Sequence, residues 1–184
     1  RLVRAPDMRS LAVLSLHTSP LAQPGAGDSG GMNVYVRELV ASLAQAGVDS
    51  EVYVRRWHDD LPDVVEVEPG FRVVHVTAGP SDLTKEKLPD VVDEFTDRVE
   101  ARLRQRGDVD ALHANYWLSG LAGHQLKHRL DLPLVSTFHT LARVKAETGL
   151  TLEVITPKQE AQLSVAGCLN LFDRDGAEAA LVID

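Results

Sequence analysis

Short apolar runs alternate along this chain with stretches in which apolar residues recur every three or four positions. Leu11–His17 (LAVLSLH) is a nearly continuous apolar run, the pattern of a strand buried on both faces. From Gly31 the spacing changes. Met32, Val36, Leu39, Val40 and Leu43 share one face of a helix, and Gly47 supplies its stop. Ser50–Arg56 and Phe71–Gly79 predict two further strands, the latter closed by a Gly-Pro turn. In Leu88–Gly107, Val91, Val92, Phe95, Val99 and Leu103 line one helical face, and Gly107 ends it. Val109–Asn115 reads as a strand, Trp117–Leu130 as a helix and Leu132–His139 as another buried strand. Thr156–Asp175 then predicts a helix and Ala179–Asp184 a closing strand, with linkers at Arg56–Gly70 and around Lys145–Gly149.

Strands alternating with helices predict an α/β fold, a Rossmann-like parallel sheet with helices on both faces. In such sheets ligands bind beyond the carboxyl ends of the strands. Polar residues gather at those ends: His17 and Thr18, Asn115 and Tyr116, His139 and Thr140. Residues 1–10 read as a polar lead-in and residues 11–184 as one domain.

The formal net charge of −8 argues against a nucleic-acid backbone as the main partner, and the sequence predicts none. No apolar run approaches the ~18–20 residues of a membrane-spanning helix, so no integral membrane segment is expected. Cys168 is the single cysteine, which excludes an internal disulfide, predicts inert packing for that thiol and makes the cytoplasm the expected compartment. His124 and His128 have the i, i+4 spacing of a metal pair. Gln125 stands where a zinc-protease helix would carry its glutamate, and no third ligand is evident, so no metal is expected there.

The chemistry concentrates in Gly25–Tyr35, GAGDSGGMNVY. Its Gly25-x-Gly27-x-x-Gly30 spells a dinucleotide-binding fingerprint, and Arg55 and Arg56 end the second strand, where a 2′-phosphate would lie. Thr18–Pro24 separates the strand from these glycines, so the tight turn comes several residues late. Another reading fits the same residues. Gly30 and Gly31 open a helix whose unpaired N–H groups face a docking anion, and neither has a Cβ to keep it away. Asp28 or Ser29 would cap that helix, and a carboxylate with the Asn33 amide would bind sugar-like hydroxyls.

The segments HTSPLAQPGAGDSGGMNVYVREL, AGPSDLTKEKLP, HANYWLSG and STFHTLARVK together resemble family 4 retaining glycosyltransferases. The likeness is to their N-terminal half, in the branch of the mycothiol pathway and the sucrose-phosphate synthases. It covers roughly Leu11 to Lys145. It implies the N-terminal half of a GT-B architecture, with a C-terminal nucleotide-binding domain that these residues do not include. It implies transfer of N-acetylglucosamine from UDP-GlcNAc to a polyol or sugar phosphate such as 1D-myo-inositol 3-phosphate, with no cofactor.

Residue by residue, the resemblance assigns acceptor contacts to His17, Asp28, Ser29, Gly30, Gly31, Met32 and Asn33. Lys85, Tyr116 and Thr140 match the groups holding the acceptor's phosphate. Gln23, Pro24 and Gly31 match donor contacts. His139 matches the histidine near the reacting sugar, an orienting role in catalysis. Gln162 stands where the family's phosphate-binding arginine is found, with Lys158 one helical turn earlier. The expected partners are a nucleotide sugar and a phosphorylated polyol or sugar, and a homodimer is left open. Two other functions compete: an NADP-binding oxidoreductase domain and a non-catalytic sugar-phosphate-binding module.

Overall fold

The computed structural model of the chain describes residues 8–22, 31–139 and 180–182. Among the described residues seven strands form one sheet: β1 (Ser10–Leu14), β2 (Asp49–Arg55), β3 (Val64–Glu68), β4 (Phe71–Val76), β5 (Ala111–Asn115), β6 (Leu134–Thr137) and β7 (Ala180–Val182). Their order across the sheet is β3-β4-β2-β1-β5-β6-β7. All neighbours pair in parallel except β3 with β4. The helices are α1 (Gly31–Gln45), α2 (Val92–Arg106) and α3 (Trp117–Leu130), with a 3-10 helix at Lys85–Val91.

The period-2 geometry of the strands splits the core into two layers. Leu11 and Val13 of β1 face a cluster with Val36 and Val40 of α1. Ala12 and Leu14 face the opposite cluster, with Phe95 and Val99 of α2 and Ala122 and Leu126 of α3. Helices therefore cover both faces, which explains why these strands read as unbroken apolar runs.

Two expectations are corrected. Arg56–Gly70 is not simply a linker, because it carries β3. Val64, Val65 and Val67 alternate only briefly among acidic residues, and β3 returns antiparallel onto β4 through Gly70, whose φ is +85°. The sheet is thus mixed at this edge rather than wholly parallel. Second, the helix read as Leu88–Gly107 becomes α-helical only at Val92. Pro89 has no N–H to donate, and the stretch before it coils as the 3-10 helix, whose first residue is Lys85. The expected helix at Thr156–Asp175, the linker around Lys145–Gly149 and Cys168 lie outside the described residues.

Candidate functional site

The chain crosses from β1 to β2 on one side and later to β5 on the other, so the direction of winding reverses beside β1. A crevice opens at such a switch point, beyond the strands' carboxyl ends. The turn after β1 is tied down on several sides. Ser15 Oγ donates to Thr18 O at 2.7 Å, Leu16 N to Ser119 Oγ at 3.0 Å, and Arg55 N to Leu16 O at 3.2 Å. These bonds fix the backbone on either side of His17, which is half-buried.

Across the crevice, Tyr116 joins β5 to α3 with φ 74° and ψ 157°. That region is almost reserved for glycine and costs a bulky residue about 1–3 kcal/mol. Two backbone bonds hold it there: Tyr116 N donates to Thr137 O, and Gly120 N donates to Tyr116 O, both at 2.9 Å. The conformation brings the tyrosine ring to a centroid distance of 4.2 Å from the His17 ring.

Gly31 begins α1. Two residues on, Asn33 Nδ2 donates to Thr18 Oγ1 at 2.9 Å, so the helix starts at the mouth of β1. Asn33 is only 2% exposed, and its Oδ1 is buried without a hydrogen-bond partner. A fully buried Asn115 at the end of β5 is in the same condition at Nδ2, while its Oδ1 lies 3.2 Å from His139 Nε2. Buried amide atoms of this kind are costly unless something else bonds them. Met32 is half-buried and packs against the α1-side core.

Behind this polar front, His113 and Tyr35 support His139. The Tyr35 and His139 rings meet edge to face at 5.3 Å, and Tyr35 and His113 at 6.5 Å. His113 Nε2 lies 2.9 Å from Thr137 Oγ1. Burial, reinforced by the charge of His139, pulls the His113 pKa from 6.5 down to about 4, so the imidazole is neutral near pH 7.

Lys85 faces the crevice from the other flank. With His17, Thr18, Ser19, Arg55 and Ser81 it lines a cavity of about 270 Å³, and the described lining residues include no carboxylate. In a chain of net charge −8, that arrangement suits an anion. Trp57, 43% exposed, stands at its edge, with its ring 5.4 Å from and edge-on to His75.

The structure therefore brings His17, Asn33, Lys85, Tyr116 and His139 to one end of the sheet, with Gly31 at the helix start. Gln23, Pro24, Asp28, Ser29, Gly30, Thr140, Lys158 and Gln162 lie outside the described residues. His124 and His128 stay apart from this group, exposed on α3 with their rings edge to face at 4.7 Å. The sequence marks Asn115 only as a polar strand end and Arg55 only as a partner for a 2′-phosphate, and it does not mark Trp57. Position at a strand's carboxyl end was the signal that pointed to Asn115 and Arg55. For Trp57 there was none.

Residues 30–167 match the family model described as "Glycosyl transferase 4-like domain". The chain belongs to this family. It is 50% identical over 142 residues to a D-inositol 3-phosphate glycosyltransferase of Actinosynnema mirum, covering 75% of this chain and 34% of that protein. It is 40% identical over 182 residues to the protein so named in Pseudarthrobacter chlorophenolicus, covering 96% of this chain and 43% of that one. Among solved structures, sucrose-phosphate synthase from Thermosynechococcus elongatus superposes with a TM-score of 0.70 at 32% identity, over 88% of this chain and 40% of the synthase. The chain thus spans between a third and a half of these relatives' lengths. The likeness supports an α/β Rossmann-like fold of the GT-B kind and membership of an enzyme family. No helix among the described residues is long and apolar enough to cross a membrane.

Proposed function

We propose that these residues form the acceptor-binding part of a retaining glycosyltransferase. It moves N-acetylglucosamine from UDP-GlcNAc to a phosphorylated polyol or sugar, with 1D-myo-inositol 3-phosphate as the leading acceptor. One observation carries this reading. A cavity whose described lining residues include Lys85, Arg55 and His17 and no carboxylate adjoins the start of α1 and the Tyr116 ring at the switch point. The relatives named for inositol 3-phosphate support the choice of acceptor.

In this proposal the Lys85 ammonium supplies charge to the acceptor's phosphate, and the Tyr116 and Thr140 hydroxyls supply directional hydrogen bonds. The acceptor's ring hydroxyls meet His17, Asn33 and the Asp28–Met32 segment. The Asn33 Oδ1, buried and unpartnered, accepts from one of them. Gln23, Pro24 and Gly31 lie against the nucleotide sugar, with the donor's phosphate beside the N–H groups that open α1. A second domain holds most of the nucleotide.

The chemistry needs no protein nucleophile. The bond from the sugar's anomeric carbon to the diphosphate breaks as the acceptor oxygen attacks from the same face, and the leaving diphosphate takes the acceptor's proton. Positioning and stabilisation of charge on the departing UDP supply the rate enhancement. His139 orients the transferred sugar. Fixed positive groups stand in for a divalent metal.

The test is an assay of the full-length protein with UDP-GlcNAc and either inositol 3-phosphate or myo-inositol. Transfer to the phosphorylated acceptor is expected, with Lys85→Ala raising its KM at least about tenfold, the scale of a charge-assisted contact. No transfer, or an unchanged acceptor KM in Lys85→Ala, overturns the reading.

A further inference from the structure

Arg55 ends β2 with its residue only 5% exposed, yet among the described residues no carboxylate hydrogen-bonds to it. Its Nε donates to Ala78 O at 2.9 Å, and its Nη2 donates to the carbonyls of Pro80 and, at 3.3 Å, of Ser81. Burying a guanidinium against neutral carbonyls is an expensive way to stabilise a fold: burial lowers the Arg55 pKa, and the nearby charge of Asp82 offsets this only in part. What the arrangement does provide is geometry. A planar fork reaches several backbone oxygens at once, which a single ammonium cannot do.

Those carbonyls belong to the turn that leads to Lys85. The same turn is held from its other side: Gly79 N donates to Glu94 Oε2 at 2.9 Å. Gly79 has a φ of +65°, and a Cβ on it would come within 2.6 Å of Val91 Cγ1, so the backbone passes close over the 3-10 helix. Leu83 N closes the turn on Pro80 O at 3.2 Å, and the 3-10 helix starts two residues later with Lys85. Arg55 also reaches the opposite wall, since its backbone N–H bonds Leu16 beside His17. One residue thus ties together the two segments that bring Lys85 and His17 to the cavity.

We propose that Arg55 is the positioning residue of the anion pocket: by clamping the Ala78–Ser81 turn it fixes where Lys85 stands, and so sets the preference for a phosphorylated over an unphosphorylated acceptor. This rests on the reading that Lys85 meets the acceptor's phosphate. The charge of Arg55 is not what matters, so lysine does not replace it.

The test compares Arg55→Lys, Lys85→Ala and the double variant in the full-length protein, with UDP-GlcNAc and either inositol 3-phosphate or myo-inositol. Arg55→Lys is expected to raise the KM for inositol 3-phosphate about tenfold, several times more than it raises the KM for myo-inositol, so that the preference for the phosphorylated acceptor falls. The double variant is expected to be no worse than Lys85→Ala, because both changes remove one interaction. Wild-type behaviour of Arg55→Lys, or additive losses in the double variant, overturns the proposal. A silent Lys85→Ala instead overturns the reading of the site.

Substrate-free hydrogen exchange provides a second measurement that does not depend on the acceptor's identity. In Arg55→Lys the Gly79 and Leu83 amides are expected to exchange at least about tenfold faster, a local opening rather than a global one. Unchanged exchange there sinks the clamp. Should Arg55→Lys fail to fold, Glu94→Gln loosens the same turn from an exposed position, and it is expected to shift the same KM in the same direction by a smaller factor.

Discussion

The rings of His17 and Tyr116 lie 4.2 Å apart, tilted by 35°, while Tyr116 holds a backbone conformation that suits glycine. Strain of this kind persists where the surrounding structure enforces it, and it gathers at binding sites. The bonds to Thr137 and Gly120 enforce it here.

Two substitutions separate the roles of that tyrosine. Tyr116→Phe keeps the ring and loses only the hydroxyl. It is expected to leave the melting temperature within about 2 °C and to raise the acceptor KM about tenfold, the weight of one hydrogen bond to a charged group. Tyr116→Gly relieves about 1–3 kcal/mol of backbone strain but loses the stacked ring. Its stability is expected to change little, while acceptor binding falls further than in Tyr116→Phe. Equal kinetics for wild type and Tyr116→Phe would remove the hydroxyl from the site.

Gly31 offers a cleaner separation of fold from function. A Cβ there meets nothing within 4 Å among the described residues, which leave room for a side chain. Alanine is favoured over glycine in helices by about 1 kcal/mol, and Gly31→Ala is expected to keep or slightly raise the melting temperature. If a diphosphate packs against this backbone, the added methyl intrudes on it, and kcat/KM should fall at least about tenfold. Unimpaired turnover in Gly31→Ala places the donor elsewhere.

The layers of the fold were legible because they rest on burial. Leu11–Leu14, Ala111–Ala114 and the Val36–Val40 face show their periods directly. The site's location was legible for a related reason: His17, Asn115, Tyr116 and His139 are polar residues ending apolar runs, and a parallel sheet places such ends together. Arg55 was not legible as a clamp. Its partners are backbone carbonyls 23 to 26 residues away, which no side-chain spacing records. β3 was obscured because an edge strand needs only one covered face, and Glu66 and Glu68 break its apolar pattern. The 3-10 helix was hidden by apolar residues that keep a helical spacing through Pro89.

At the amino-terminal edge of the sheet, away from the site, a charge network ties β2 and β4 to α2. Glu51 accepts from Arg102 at 2.8 Å and from Arg72 at 3.2 Å, while Tyr53 Oη donates to it at 2.6 Å. Arg106 adds bonds to Asp49 and to Ser10 Oγ. Burial alone would raise the Glu51 pKa. The hydrogen bonds from Arg102 and Tyr53, with the charges of Arg102 and Arg106, instead lower it from 4.5 to about 2. Glu51→Gln leaves three arginines short of a counter-charge and is expected to cost about 3 kcal/mol in urea unfolding. Acceptor and donor KM values should not move. A change in either would show that this end of the sheet communicates with the crevice.

His113 gives the fold a pH dependence with a definite sign. Its pKa is about 4 in the folded chain against an ordinary 6.5, so the unfolded state takes up a proton that the folded state refuses. The associated stability is complete above pH 6.5 and is lost as pH falls from there toward 4. By pH 5 the loss amounts to about 2 kcal/mol. Glu51 acts in a lower window: its contribution is full above pH 4.5 and disappears as pH falls toward 2. His113→Gln can still bond Thr137 but cannot titrate. It is therefore expected to flatten the stability profile between pH 7 and pH 5 and to leave the decline below pH 4.5 in place. Urea midpoints at pH 7, 5 and 4 for both proteins decide it. An equally steep loss between pH 7 and pH 5 in His113→Gln would assign that proton uptake to another group.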